Sequence, residues 1–379
     1  MDYGLGVVGL GHWFNRLNIG IQKVGGLSLM KAVGTKPFDQ KAEVLQSFGI
    51  TRDNYYIADK GKIPDGFFNG IDVVHISDPN RFHAQQIQDS LEHGKYTITE
   101  KSLATNRREF GRIASFIRKS NSEGRVYLHL HYVHKQPSLM LKDLLPGLVG
   151  RYGRIREVKA TFFEKASEED SRRTWLFAPE NGGIFMDWVH PFEVLYDSTG
   201  STFGHIKELS LYATNLSYDG RNPTGVRAIV ETRGRSYSKG ALAEVNVAKG
   251  VDGLHDCKSI KVTFENGLYA RLCYVGAGVE SASSERGTLE IAGMRDGSEK
   301  VIMSSRLSGP NPYEIFVEDI IGLCRGNKVG FGIKDIGKIF KPQWEYQRLS
   351  KSRELIRNNA DVSGFLEGGV SGMGYNNSE

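Results

Sequence analysis

The chain has 379 residues, more than one ordinary domain holds and enough for two or three. Hydrophobic residues make up 39%, charged residues 25% and aromatics 10%, so a sizeable core can form and global disorder is excluded. Forty-nine basic against 44 acidic residues leave a net charge of +5, a weak excess with no long Lys/Arg cluster, which argues against a nucleic-acid partner.

Tyr3 to Leu10 is a short apolar run that ends in Gly9-Leu10-Gly11. Phe14, Leu17, Ile21 and Val24 then recur at helical spacing. Leu29 to Gly34 reads as a second strand, and Lys41 to Phe48 as a helix. Ile71 to Ile76 is a third strand, broken at Asp78-Pro79-Asn80. Ala84, Ile87 and Leu91 mark a helix that Gly94 stops. Tyr96 to Thr99 is a fourth strand; Phe110, Ile113, Ala114 and Ile117 form a helical stripe; Arg125 to Val133 is one more strand. Strands alternating with crossover helices imply a parallel sheet covered on both faces, with ligands outside the strands' carboxyl ends.

From about Gly153 the rhythm changes. Arg154–Glu164, Lys207–Leu216, Val226–Arg233 and Gly240–Lys249 read as longer strands. Asn266-Gly267 separates Ser259–Phe264 from Leu268–Val275, and Asp296-Gly297 separates Thr288–Ala292 from Lys300–Ser304. Both dipeptides signal type I′ hairpins, which need positive φ at both central residues. Helices are expected at Leu139–Val149, Phe185–Leu195, Pro312–Cys324 and Lys334–Arg357. The second half therefore reads as a mostly antiparallel sheet with helices on one face.

Three cysteines, Cys257, Cys273 and Cys324, cannot make a disulfide framework and share no metal-ligand spacing. No apolar run reaches the roughly eighteen residues of a membrane span. No basic leader precedes the first strand, so the expectation is a cytoplasmic protein with no membrane partner.

Gly9-x-Gly11 between a strand and a helix is the context of a dinucleotide fingerprint, where backbone must approach a pyrophosphate and the helix N-terminus offers free N–H groups. Phe14 stands where the third glycine would. The end of the second strand, Val33-Gly34-Thr35-Lys36-Pro37, has no carboxylate until Asp39. Thr35 can donate a hydrogen bond and Lys36 can neutralise a 2′-phosphate, which favours NADP over NAD.

Asp78-Pro79-Asn80-x-x-His83, Gly94-Lys95, Glu100-Lys101, Trp175 and Gly182-Gly183-Ile184-Phe185-Met186-Asp187-x-x-His190 together resemble the Gfo/Idh/MocA family of oxidoreductases. The resemblance implies a Rossmann dinucleotide-binding domain over residues 1–125 and an α+β substrate and oligomerisation domain over 126–362. The helix at 334–357 would pack back on the first domain, and a mobile tail, 363–379, would follow. It implies hydride transfer between the nicotinamide of NADP (or NAD) and a sugar, polyol or related hydroxy compound, in a homodimer or homotetramer. Lys101, Asp187 and His190 would be catalytic. The cofactor would meet Gly9, Gly11, His12, Trp13, Phe14, Thr35, Lys36, Ser77, Pro79, Asn80, His83, Glu100 and Lys101. Three departures stand out: Ser102 in place of a loop proline, Phe14, and an Asp/His motif one residue short. They keep open a non-catalytic cofactor-binding member. An NAD-dependent glycoside hydrolase is a further alternative, since some relatives cleave glycosides that way.

The residue types suit that chemistry on their own terms. Removing a hydroxyl proton calls for a base, for which His190 is the candidate, and a developing alkoxide calls for a cation, for which Lys101 is. His129-x-His131-x-x-His134 has spacing for Zn²⁺ or a redox metal, with His129 and His131 on one strand face. No cysteine or carboxylate stands near it in sequence, so no metal is expected. Substrate contacts by Tyr132, His134 and Lys135 are the favoured reading, to a hydroxyl or a phosphate. Trp175 stacked on a sugar face, with Arg172 or Arg173 on an anionic group, stands level with a plain solvated loop.

Overall fold

The computed structural model describes residues 2–164, 183–213, 223–233, 237–250, 257–275, 285–295, 298–327, 330–350 and 355–356. The expected tail at 363–379, Asp296-Gly297, and Arg172, Arg173 and Trp175 lie outside them.

The first unit alternates as its periodicity dictates: β1 (Tyr3–Val8), α1 (His12–Val24), β2 (Leu27–Gly34), α2 (Ala42–Ser47), β3 (Tyr55–Ile57), β4 (Val73–Ile76), α3 (His83–Glu92), β5 (Tyr96–Glu100), α4 (Arg107–Lys119) and β6 (Val126–His129). The strands pair in parallel in the order β3-β2-β1-β4-β5-β6, a doubly wound sheet whose order reverses beside β1. The three-residue edge strand β3 is absent from the sequence reading. β6 extends to His129, past the boundary placed at residue 125, and stops well short of Val133. Its last register partner is Glu100, where β5 ends, so the chain has nothing further to pair with. It turns instead into a 3₁₀ segment, His131–His134. His129 and His131 therefore do not share a strand face.

The second unit begins with α5 (Gln136–Tyr152) and β7 (Ile155–Glu164). After α6 (Phe185–Thr199) come β8 (Thr202–Tyr212), β9 (Gly225–Arg233), β10 (Leu242–Lys249), β11 (Cys257–Phe264), β12 (Leu268–Tyr274), β13 (Glu285–Arg295) and β14 (Ser298–Ser308). The chain closes with α7 (Pro312–Cys324), α8 (Ile333–Ile339), α9 (Lys341–Leu349) and the two-residue β15 (Leu355–Ile356). The sheet order is β14-β13-β12-β11-β7-β10-β9-β8-β15, antiparallel except for β7·β10 and β8·β15. The Asn266-Gly267 turn joins β11 to β12 as expected, but it is not type I′. Only Gly267 has positive φ (+85°), and its N–H bonds the Phe264 carbonyl at 3.0 Å. That is the three-residue loop with a left-handed glycine at its end. The single helix expected at 334–357 is two, because Pro342 at the start of α9 cannot continue α8.

The helix that joins the first sheet most closely is α7, not the C-terminal one. Phe316, Val317 and Ile320 of α7 share a core with Leu5, Val7, Phe14, Leu17 and Ile21. α9 adds a lesser contact, with Trp344 against Phe110 of α4 (ring centroids 4.6 Å). Among the described residues no helix is long and apolar enough to cross a membrane.

α1 and α7 touch through a glycine. A Cβ added at Gly20 would lie 2.5 Å from the Tyr313 carbonyl oxygen. At an exposed helical site Gly→Ala stabilises by up to about 1 kcal/mol. Here Gly20→Ala should instead cost about 1–3 kcal/mol through overpacking, measured by urea unfolding. A gain in stability would refute this backbone-to-backbone contact.

Candidate active site

At the carboxyl edge of the first sheet, Gly9 turns the chain with φ +88°, and a Cβ there would meet Asp78 backbone and side-chain atoms at 2.9 Å. The Ser77 hydroxyl donates to the Val8 carbonyl at 3.3 Å, tying the ends of β4 and β1 together. Gly11 caps α1 in an extended conformation. No side chain caps this helix, and its first turn holds no acid. A Cβ on Gly11 would meet no atom within 4 Å. An uncapped helix N-terminus facing open space fits a dinucleotide pyrophosphate. Beyond β2, Thr35 and Lys36 are exposed. The Tyr55 hydroxyl donates to the Lys36 carbonyl at 2.7 Å, and Asp39 is engaged by Arg52. Pro79 precedes a 3₁₀ turn that starts at the buried Asn80. Of His12 and Trp13, only the backbone at the start of α1 is described.

Four of the expected contact residues have buried side chains held by protein partners. Phe14 points into the core, edge-on to Phe48 (5.1 Å between centroids), so its bulk stays clear of the glycine turn. His83 is fully buried, its ring nitrogens 2.8 Å from the Ser102 carbonyl oxygen and 2.6 Å from that of Asp78. It clips the loop after β4 to the loop after β5. The Lys101–Ser102 peptide bond in that second loop is cis. The Glu100 carboxylate turns inward to His129 Nδ1 at 2.7 Å, with His75 Nε2 3.5 Å away. Burial would raise its pKa, yet the two rings outweigh burial and hold it well below the usual carboxylate range. His134 turns to the Tyr127 hydroxyl at 3.0 Å and, with Tyr127, towards Asp319 of α7, away from the cleft. Burial pushes His134 down to about 3. The three histidines therefore diverge: His129 to Glu100, His131 to His190 (centroids 4.6 Å) and His134 to Tyr127.

Lys101, just after β5, meets Asp187, in the first turn of α6, across the gap between the two units. His190 lies one turn further along the same helix, its Nε2 3.7 Å from Asp187 Oδ1. The shortened motif thus still sends both side chains to one side, as i,i+3 spacing allows. Burial opposes ionisation of Asp187, but Lys101 and Lys249 together hold its carboxyl well below the ordinary range. Burial first, then the ammonium groups of Lys101, Lys258 and Lys249, pushes His190 well below the ordinary imidazole value, so the ring is neutral at pH 7. His190 Nδ1 lies 3.2 Å from Glu193 Oε1, which also accepts the Tyr132 backbone N–H at 2.9 Å.

Several residues here escaped the sequence reading: Glu193, Glu164, Lys249 and Lys258. Lys249 Nζ sits 2.8 Å from both Asp187 Oδ2 and Glu164 Oε2, and Lys258 also pairs with Glu164. Strand register brings Glu164, Lys249 and Lys258 together. Lys249 is the partner of Glu164 across β10·β7, and Lys258 is the partner of Phe162 across β11·β7. Period-two alternation then puts all of them on one face. The one signal in sequence was the charge that closes β7 at Glu164 and β10 at Lys249; Lys258 stands second in β11. Tyr132 is buried beside His190 (centroids 4.5 Å), with the Lys135 ammonium 4.7 Å above its ring.

No family model matches the chain. It is 24% identical over 210 residues to the scyllo-inositol 2-dehydrogenase (NADP(+)) IolU of Bacillus subtilis. It is 25% identical over 194 residues to a 1-carboxy-3-chloro-3,4-dihydroxycyclohexa-1,5-diene dehydrogenase of Comamonas testosteroni. These matches cover 52% and 50% of this chain, which spans only 61% and 46% of those relatives. Among solved structures, the 3-ketoreductase KijD10 of Actinomadura kijaniata superposes with a TM-score of 0.72 at 15% identity, over 94% of this chain and all of that one. The myo-inositol 2-dehydrogenase of Lactobacillus plantarum gives 0.69 at 16%, over 93% and 98%. These relatives and structures are of the Gfo/Idh/MocA type that the motifs resemble, and the fold of this chain is theirs.

Proposed function

We propose that the chain is an NAD(P)-dependent oxidoreductase that moves hydride between a sugar, polyol or related hydroxy compound and the nicotinamide, with NADP preferred. One observation carries this reading: Lys101 from the first unit meets Asp187 and His190 from the second at the same carboxyl edge of the first sheet as the uncapped N-terminus of α1. The nicotinamide, when bound, supplies the hydride chemistry. Gly9, Gly11 and the start of α1 would hold the pyrophosphate, and Thr35 and Lys36 the 2′-phosphate. The relatives' names point the same way, since IolU is named as NADP-dependent. Arg52 occupies Asp39, the first carboxylate after β2, which lessens its repulsion of a phosphate.

The chain's own residues would handle the proton. With Nδ1–H directed at Glu193, the neutral His190 ring keeps its Nε2 lone pair for a substrate hydroxyl. Lys101 stabilises the developing alkoxide, and Asp187 steadies both Lys101 and the imidazolium that forms. Exposed Met294, Val301, Ile302 and Met303 on the β13–β14 hairpin support an oligomer built through the second sheet.

Lys101→Ala should lower turnover about 10³-fold while cofactor binding persists, read by reduced-nicotinamide absorbance and by fluorescence titration. Undiminished turnover would sink the role. Lys36→Asp should cut the NADP/NAD ratio of kcat/KM about tenfold or more; an unchanged ratio argues against the 2′-phosphate contact. Glu193 supplies a pH test. Burial raises its pKa from 4.5 to about 8. The folded chain therefore holds a proton that the unfolded chain loses between these values, and stability falls as pH rises across that window. Glu193→Gln should flatten this fall, so the variant's melting-temperature advantage grows from pH 4.5 to about 8. Parallel melting curves for the two proteins would show Glu193 to be ionised.

A further inference from the structure

The loop that follows β2 carries Thr35 and Lys36, and contacts from β3 and its approach fix its course. Ala32 and Tyr55 are register partners across the parallel pair β2·β3. Period-two alternation therefore puts Ala32, Gly34 and Tyr55 on one face of the sheet. Two small residues in succession on that face leave room for a long side chain, and the far edge of the Tyr55 ring lies over Gly34. A Cβ at Gly34 would collide with the Tyr55 hydroxyl oxygen and come 3.1 Å from the ring carbon that bears it. From there the hydroxyl donates to the Lys36 carbonyl at 2.7 Å.

The rest of the loop is held on both sides of this bond. Phe38 sits in a small core with Ala32, Leu45 and Ile50, edge-on to Tyr55 (5.8 Å between ring centroids). Asp39 pairs with Arg52, whose guanidinium carbon lies 5.5 Å from the centre of the Phe38 ring. Lys36 thus has a pinned backbone and an exposed side chain. Burial first, then the Asp78 carboxylate, pushes the Tyr55 phenol above its ordinary value, so its hydroxyl remains a donor across the neutral range.

We propose that Tyr55 is a positioning residue for cofactor selection: by holding the Lys36 carbonyl it presets the loop that offers the Lys36 ammonium to the 2′-phosphate of NADP. This rests on the oxidoreductase reading above and adds the residue through which Lys36 discriminates. A lysine on a free loop loses backbone freedom each time a phosphate binds, whereas a pinned one has lost it on folding. NAD carries a hydroxyl in place of that phosphate and gains nothing from the ammonium. Gly34 is the other half of the device, because only a residue without a Cβ lets the phenol reach across the end of β2.

The test is calorimetric titration of the full chain with NADP, NAD, adenosine 2′,5′-bisphosphate and AMP. The last two differ only in the 2′-phosphate, so the comparison needs no turnover. Tyr55→Phe keeps the ring and removes the hydroxyl. It should weaken NADP and the bisphosphate about fivefold and leave NAD and AMP unchanged. Gly34→Ala should reproduce that pattern, since its methyl group displaces the phenol. In a Lys36→Gln background, Tyr55→Phe should cost nothing further, as expected of a residue that acts through Lys36. Losses that add in the double variant, or that fall equally on NAD and NADP, would reduce Tyr55 to a structural role and overturn the proposal. So would NADP binding that Lys36→Gln weakens and Tyr55→Phe does not. Each of these outcomes leaves the oxidoreductase reading standing. Failure of both dinucleotides to bind the wild type would remove that reading and the positioning role together.

Discussion

The Asp187 carboxylate is the interaction on which the site depends. It is shared by Lys101, which leaves the first sheet at the end of β5, and Lys249, which ends β10 of the second. Ionic contacts taken out of water are worth their desolvation only when both partners are held in place. Here two folded units do the holding. Removing either lysine would leave Asp187 half-compensated, and removing Asp187 would leave two ammonium groups facing each other.

The scaffold around this carboxylate is correspondingly rigid. α6 carries Asp187, His190 and Glu193 on successive turns and is backed by the fully buried Trp188 and Phe192. Glu193 Oε1 accepts the Tyr132 backbone N–H and lies 3.2 Å from His190 Nδ1, which ties the imidazole to the turn after β6. On the other side His83 binds the loops that follow β4 and β5. Beneath them His129 stacks on Phe316 at 3.5 Å and hydrogen-bonds Glu100. The side chains of Glu100, His83 and His134 thus have protein partners that brace the loops around the site. A polar side chain at a strand end can face either way, and burial decides which.

Much of the architecture was legible in the chain. Alternating apolar runs and helical stripes identified a parallel sheet and then an antiparallel one, because those periods reflect which face meets the core. The motif resemblance set Lys101, Asp187 and His190 in one site, and i,i+3 spacing placed Asp187 and His190 on one side of α6; the ion pair between Lys101 and Asp187 appeared only in the structure. Other features were hidden for identifiable reasons. β6 ends where its neighbour ends, a fact about β5. α7 joins the first sheet across some 300 residues of chain, a contact that no local pattern records. The lysines of β10 and β11 meet Glu164 through strand register, which depends on which strands become neighbours.

By itself the sequence determined the two kinds of sheet, the glycine turn between β1 and α1, and the residue types that a hydride-transfer site needs, because these follow from local periodicity and side-chain chemistry. Only the tertiary structure decided which charges share a carboxylate, which histidines face the cleft and which are buried supports. Those outcomes depend on strand order, register and burial, and none of these is a property of neighbouring residues in the chain.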